Sequence, residues 1–175
     1  MTTILDSGQI NRAIDEIAKN IVNDLSPDDT VAAVGIRSRG EIIAQRLTEK
    51  LSEALKKDVP CGILDITLYR DDINSPSQTS QPQVRTTEIG FNIDDKVIIL
   101  VDDVLYTGRS TRAALDALVD LGRPQCIKLA VLVERAGREL PIQADYIGYK
   151  ADVEVDKIVQ VKLVESDGTD EVVIE

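Results

Sequence analysis

A chain of 175 residues with 43% hydrophobic and 29% charged side chains carries enough apolar material for one compact domain, and too much for a disordered segment. Its 31 acidic against 20 basic residues leave a formal net charge of -11, a field that repels polyanions unless the cations gather on one face. The absence of histidine excludes His-based triads, His proton shuttles and the usual zinc sites.

Ile10, Ile14, Ile17, Ala18, Ile21 and Leu25 recur at helical spacing among polar residues, with Pro27 beyond, and predict an amphipathic first helix. "TVAAVGI" is a short β-branched run suited to a strand buried on both faces. "RSRG" then opens a second helix with Ile43, Leu47, Leu51 and Leu55 as its stripe and Lys56-Lys57 in the final turn, where cations suit the dipole. Residues 59–69, "VPCGILDITLY", read as a second strand, and residues 70–83, rich in Ser, Thr, Gln and Asn, read as a long loop. Such a loop inside a compact domain covers an active site or is disordered.

Residues 96–101 predict a third buried strand, and Ala114, Ala117, Leu118 and Leu121 a third helix stopped by Gly122 and Pro124. "CIKLAVLV" is a fourth strand. Strands alternating with helices imply right-handed crossovers and a mostly parallel sheet flanked by helices: an α/β fold. After Arg135 come short pieces, "DYIGY", "KIVQVKLV" and "EVVI", with Ser166-Asp167-Gly168 as a hairpin signal. They are expected to form a small hood of short strands over the sheet's end, about residues 135–175, within a single domain spanning 1–175. Cys61 and Cys126 fall inside apolar stretches, where a free thiol behaves as a small buried hydrophobe and a reducing compartment fits. The polar Asp6-Ser7-Gly8 near the start, and the lack of any apolar run near the roughly 20 residues that span a bilayer, set the expectation of a soluble cytoplasmic protein with no membrane partner.

The chemistry concentrates in "VIILVDDVLYTGRST", residues 97–111. Ligands of open parallel sheets bind outside the carboxyl ends of the strands, and Asp102 and Asp103 fall there. Thr107, Gly108, Arg109, Ser110 and Thr111 lead into a helix whose first turn presents unpaired N–H groups and a positive dipole end, while Gly108 lets the backbone approach closely. Two carboxylates would repel a phosphate held in that turn unless they face a sugar diol. The plain alternative is a strand end followed by a capped helix. The string lacks the Gly-Lys-Ser/Thr of a P-loop and the Gly-x-Gly-x-x-Gly of a dinucleotide fold, so nucleoside triphosphates and NAD fit poorly.

"VILVDDVLYTGRS" in this setting resembles the phosphoribosyl-pyrophosphate (PRPP) motif of type I phosphoribosyltransferases. "LDITLYRDD", "VDDVLYTGRSTRAALDALVDLGRP" and "RELPIQADYIG" together resemble the PyrR family, in which a uracil phosphoribosyltransferase doubles as an attenuation regulator of pyrimidine genes. The likeness covers nearly the whole chain. It implies the type I phosphoribosyltransferase fold and the reaction of uracil with PRPP to give UMP and diphosphate. It assigns Asp102 and Asp103 to the ribose hydroxyls and residues 107–111 to the 5′-phosphate, with Val104, Leu105 and Tyr106 also counted as substrate-binding and Ser110 where the family often has threonine. Ser38 and Arg39 fall in the pyrophosphate loop, so Arg39 joins the two aspartates as a catalytic expectation. Arg70 and Asp71 begin the flexible loop, about residues 70–87, with Arg85 near its return, and Arg135 and residues 138–148 belong to the hood over the base. Mg2+ is implied as a cofactor carried by PRPP near Asp102 and Asp103, with no protein ligand assigned.

The resemblance also brings RNA as a partner and a homodimer or homotetramer as the assembly. The charge disfavours RNA: the first helix carries Asp15, Glu16 and Asp24 with Lys19 the one cation between them, and Asp152, Glu154 and Asp156 follow the hood segment. With one Phe, four Tyr and no Trp, material for base stacking is scarce.

Overall fold

The computed structural model describes residues 1–74 and 83–175. Five strands, β2 (Val31–Ile36), β3 (Cys61–Leu64), β4 (Val97–Leu105), β5 (Cys126–Arg135) and β6 (Tyr146–Ala151), form one parallel sheet in the order β3-β2-β4-β5-β6. The chain steps from β2 outward to β3, then returns to lay β4, β5 and β6 on the other side, so strand order reverses between β2 and β4. Crossovers of one hand running in opposite directions must lie on opposite faces. The helix between β2 and β3, α2 (Arg39–Leu55), and the helix between β4 and β5, α3 (Arg109–Leu121), accordingly serve separate cores.

The period-two pleat of the buried strands feeds both cores. Val31, Ala33, Val97, Ile99 and Val101 pack with α2 and with α1 (Ser7–Asp24), while Ala32, Val34, Ile36, Ile98 and Leu100 pack with α3. α1 opens with a capping box: the Asp6 side chain accepts from the Gln9 amide, and the Gln9 side chain accepts from the Asp6 amide, both at 2.8 Å. Its inward stripe is Ile10, Ile14, Ile17, Ala18 and Ile21, as its spacing predicts.

A second, antiparallel sheet has the order β1-β8-β7, from Thr2–Asp6, Glu171–Ile174 and Val159–Lys162. Leu5, Val161, Leu163 and Val172 join it to the core under α1 and α2.

Several elements differ from the sequence reading. β1 is an edge strand whose partner, β8, lies near the other end of the sequence, so no local pattern announces it. β3 spans only four residues and is followed by a 3-10 turn, Thr67–Tyr69. α2 ends at Leu55, and Lys56 adopts the left-handed conformation at φ 53°. The two lysines therefore lie beyond the last turn. "DYIGY" belongs to the main sheet: Gly148 lies so close to α1 and β5 that a Cβ there would come within 2.7 Å of the Leu132 carbonyl oxygen. Ser166-Asp167-Gly168 ends a single helical turn, α4 (Val164–Asp167), with Gly168 at φ 76°. Residues 75–82 of the expected loop lie outside the described residues. Among those described, no helix is long and apolar enough to cross a membrane, and Cys61 and Cys126 are free thiols.

Candidate active site

Three adjacent strands deliver the site at the point where strand order reverses, the position at which doubly wound sheets open a crevice. β3 ends into Asp65 and Thr67, β2 into Arg37 and Ser38, and β4 carries Asp102 and Asp103 near its carboxyl end, Asp102 opposite Val131 and Val104 opposite Val133. A polar cleft of about 280 Å³ is lined by Arg37, Ser38, Arg39, Asp65, Thr67, Arg70, Asp102, Asp103, Val104 and Ser110. It shares Asp102, Val104 and Ser110 with a smaller hollow of about 150 Å³ formed by Leu105, Tyr106, Thr107, Gly108 and Thr111. Asp102 stands where the two spaces meet, and Asp103 lines the larger one beside it.

Asp102 is only 8% exposed. The start of α2 lies directly over it: a Cβ on Gly40 would come within 2.6 Å of the Val101 carbonyl oxygen and 3.4 Å of Asp102 Oδ1. Burial, and then the charge of Asp103, hold the Asp102 carboxyl well above the usual carboxylate range. Each carboxylate is also oriented by the next amide, Asp102 Oδ1 accepting from Asp103 N at 2.9 Å and Asp103 Oδ1 from Val104 N at 2.8 Å.

The smaller hollow is the start of α3. Gly108 caps the helix at φ 92°, a conformation that glycine adopts without strain. Thr107 Oγ1 accepts from Arg109 N at 3.3 Å. The remaining first-turn amides have no acceptor within the helix, and with the hydroxyls of Ser110 and Thr111 they make a cradle for an anion.

Of the other expected residues, Arg39 lines the cleft and gives Nε and Nη2 to Asp167 at 3.3 and 2.8 Å. Arg70, Asp71, Thr107, Arg109 and Ser110 line an adjoining hollow of about 340 Å³. There Arg70 pairs with Asp72, and Arg109 bridges Asp71 and Glu139, both at 2.6 Å. Arg85 is seated by its backbone, whose amide donates to Asp65 Oδ2 at 2.7 Å. Burial raises the Asp65 carboxyl, but bonds from Thr67 and Arg85 overcome it and leave it below its ordinary value.

Arg135 is not brought to the cleft. It is 4% exposed, stacks over the Tyr106 ring at 4.2 Å from the centroid, and donates to the carbonyls of Glu154, Val155 and Lys157. The guanidinium fastens residues 154–157 to the loop that carries Tyr106. Sequence reasoning assigned no role to Asp65, Thr67 or Asp167. Asp65 was within reach, because an acid just after a buried strand is the signal that pointed to Asp102.

A parallel sheet with its crevice at the order reversal, paired acids on the central strand and an anion cradle behind them are the features expected from the resemblance to phosphoribosyltransferases. The family model described as "Phosphoribosyl transferase domain" matches residues 1–167. Among solved structures, hypoxanthine phosphoribosyltransferase from Trypanosoma cruzi in complex with IMP superposes with a TM-score of 0.74 at 17% identity, covering 99% of this chain and 93% of that one. A hypoxanthine-guanine phosphoribosyltransferase from Bacillus anthracis gives 0.73, also at 17% identity, covering 100% and 97%. These establish the fold. At the sequence level the chain is 52% identical to the "Bifunctional protein PyrR" of Deinococcus radiodurans, over 96% of this chain and 91% of that protein. It is 48% identical to the protein of that name from Bacillus cereus, over 98% and 95%. The chain belongs to the PyrR family of phosphoribosyl transferase domain proteins.

Proposed function

We propose that this protein is a uracil phosphoribosyltransferase, transferring the ribose 5-phosphate of PRPP to uracil with release of diphosphate. The observation that carries the reading is the junction at β4, where Asp102 lines both the cleft that holds residues 37–39 and the hollow of Thr107, Gly108, Ser110 and Thr111, with Asp103 beside it in the cleft. The cradle suits the 5′-phosphate, the carboxylates the ribose hydroxyls, and Ser38 and Arg39 the diphosphate.

Breaking the bond at the anomeric carbon builds positive charge on the sugar and negative charge on the departing diphosphate. The reaction asks for positioning and charge screening more than for proton transfer, so a chain without histidine loses nothing by it. The two carboxylates fit a hydrated Mg2+ shared with the substrate, because this ion keeps most of its waters and takes one or two protein carboxylates. Asp102 and Asp103 would hold it through the ribose hydroxyls, and when bound it supplies neutralisation of the diphosphate. Arg70 and Asp71 stand beside the cradle, where a cover would exclude water. Cytoplasmic location and assembly as a homodimer or homotetramer, which the family resemblance implies, form part of the same proposal.

Diphosphate release assayed over a panel of bases with PRPP and Mg2+ tests the reading. Uracil is the expected acceptor, and Asp103→Asn should lower kcat/KM about tenfold to a hundredfold, the loss of one charged hydrogen bond. Turnover of a purine in preference to uracil, or full activity in the variant, would refute it.

A further inference from the structure

Arg39 meets a carboxylate 128 positions away in the chain. Asp167, on α4, accepts Arg39 Nε at 3.3 Å and Nη2 at 2.8 Å, a two-point grip that fixes the plane of the guanidinium. The carboxylate is itself held from its own side: Asp167 Oδ2 also accepts the amide of Leu163 at 2.9 Å and the hydroxyl of Ser166 at 2.7 Å. α4 is clamped to α2 at a second point two helical turns further on. There Arg46 gives Nε to Glu165 at 2.8 Å and Nη1 and Nη2 to Asp170 at 2.9 and 2.8 Å. The anchor for Arg39 is therefore a braced turn of the small antiparallel sheet. Among the described residues, Arg39 Nη1 has no hydrogen-bond partner, and the residue lines the cleft that contains Ser38, Asp102 and Asp103.

Stability alone does not account for this arrangement. An ion pair whose side chains are 28% and 20% exposed is still partly screened by solvent and adds little stability by itself. Orientation is the larger effect, because a free arginine must order several torsions whenever it meets an anion. We propose that Asp167 is a positioning residue, holding the Arg39 guanidinium ready for the diphosphate of the phosphoribosyl donor, so that the small sheet sets affinity for the leaving group. The proposal rests on the phosphoribosyltransferase reading above.

The full chain carrying Asp167→Asn, compared with wild type, tests it. Expected are a rise of about threefold to tenfold in KM for PRPP and in the inhibition constant of pyrophosphate, the cost of ordering one rotamer-rich side chain. kcat should change less than KM. UMP, which has no diphosphate, should bind both proteins equally in calorimetry, and Asp167→Glu, which keeps the charge, should recover part of the loss. Unchanged or tighter pyrophosphate binding overturns the proposal, as does an equal weakening of UMP, which marks a general loss of structure. Should Asp167→Asn fail to fold, Ser166→Ala removes one brace of the carboxylate and leaves the ion pair; a smaller shift in the same direction is expected, and no shift overturns the proposal. Wild-type protein that releases no diphosphate from uracil and PRPP counts against the underlying reading, whereas calorimetric pyrophosphate binding to wild type and variant still reads the Arg39–Asp167 pair.

Discussion

Asp102 shows what the site costs at the scale of one residue. Its carboxyl lies beneath Gly40 with another carboxylate beside it, and its pKa is raised by burial first and by Asp103 second. A carboxyl whose folded pKa lies above its unfolded value contributes fully below the ordinary value of about 4, and that contribution is lost as pH rises through the raised one. At neutral pH the folded protein is therefore working against this group. Asp102→Asn should raise Tm by about 2–4 °C at pH 7, roughly 1 kcal/mol in a domain of this size, while reducing activity. The gain should close below about pH 4, where wild-type Asp102 is protonated in either state. Thermal melts of the two proteins across that range check it, and a variant that melts lower at pH 7 contradicts the burial argument. Arg135 makes the complementary point. Its sequence position suggested the base, but its buried guanidinium is spent on carbonyls of residues 154–157 and on the Tyr106 ring.

At the scale of elements, the contact between α2 and α4 joins the small sheet to the side of the cleft lined by Ser38 and Arg39. Arg46 is its centre and holds both Glu165 and Asp170 below their ordinary values, chiefly through its hydrogen bonds. Depressed carboxylate values mean stability that is present above about pH 4 and is lost as pH falls through the lowered values. Arg46→Met, which keeps the apolar stem, should cost about 1–3 kcal/mol at pH 7 by leaving Asp170 without its cation. Half-exposed Glu165 should contribute little of that. Urea unfolding at pH 7 and near pH 3 checks it: the gap between variant and wild type should narrow at the acid end, and a constant gap would trace the effect to packing of the stem. Elements with strong internal periodicity, α1, α2 and α3, could be read from sequence because each stripe of Ile, Leu or Ala repeats often enough to exclude a strand. β1 could not, and "DYIGY" could be read as a strand but not placed in its sheet, because a strand of five or six residues takes its place from its partner, a pairing with no local signature.

For the whole molecule, charge decides between partners. A net charge of -11 leaves local clustering of cations as the only route to polyanion affinity. On the outer face of α1 and α2, Arg12, Lys19 and Lys50 do come together, but interleaved with Asp15, Glu16 and Glu53, and Lys50 is already paired with Asp15. RNA binding should therefore be weak and nonspecific. A filter-binding titration against a pyrimidine-operon leader RNA, at stated salt and with UMP present, checks this. Tight sequence-specific binding would show that the acid residues on this face do not oppose RNA.

From sequence alone came the alternating α/β order, the buried central strand, the paired acids and the Thr-Gly turn behind them. All of these are local: a strand of five aliphatic residues must be buried on both faces, and the residues after it emerge at the carboxyl edge of the sheet. Tertiary structure decided which distant groups meet there. It placed β1 beside β8, moved Tyr146–Ala151 into the main sheet, turned Arg135 away from the cleft, and set Asp167 against Arg39. Those choices depend on how two layers of helices and a second sheet close over the main sheet, and contacts between elements, two of these made across more than a hundred residues, leave no periodic trace in the chain.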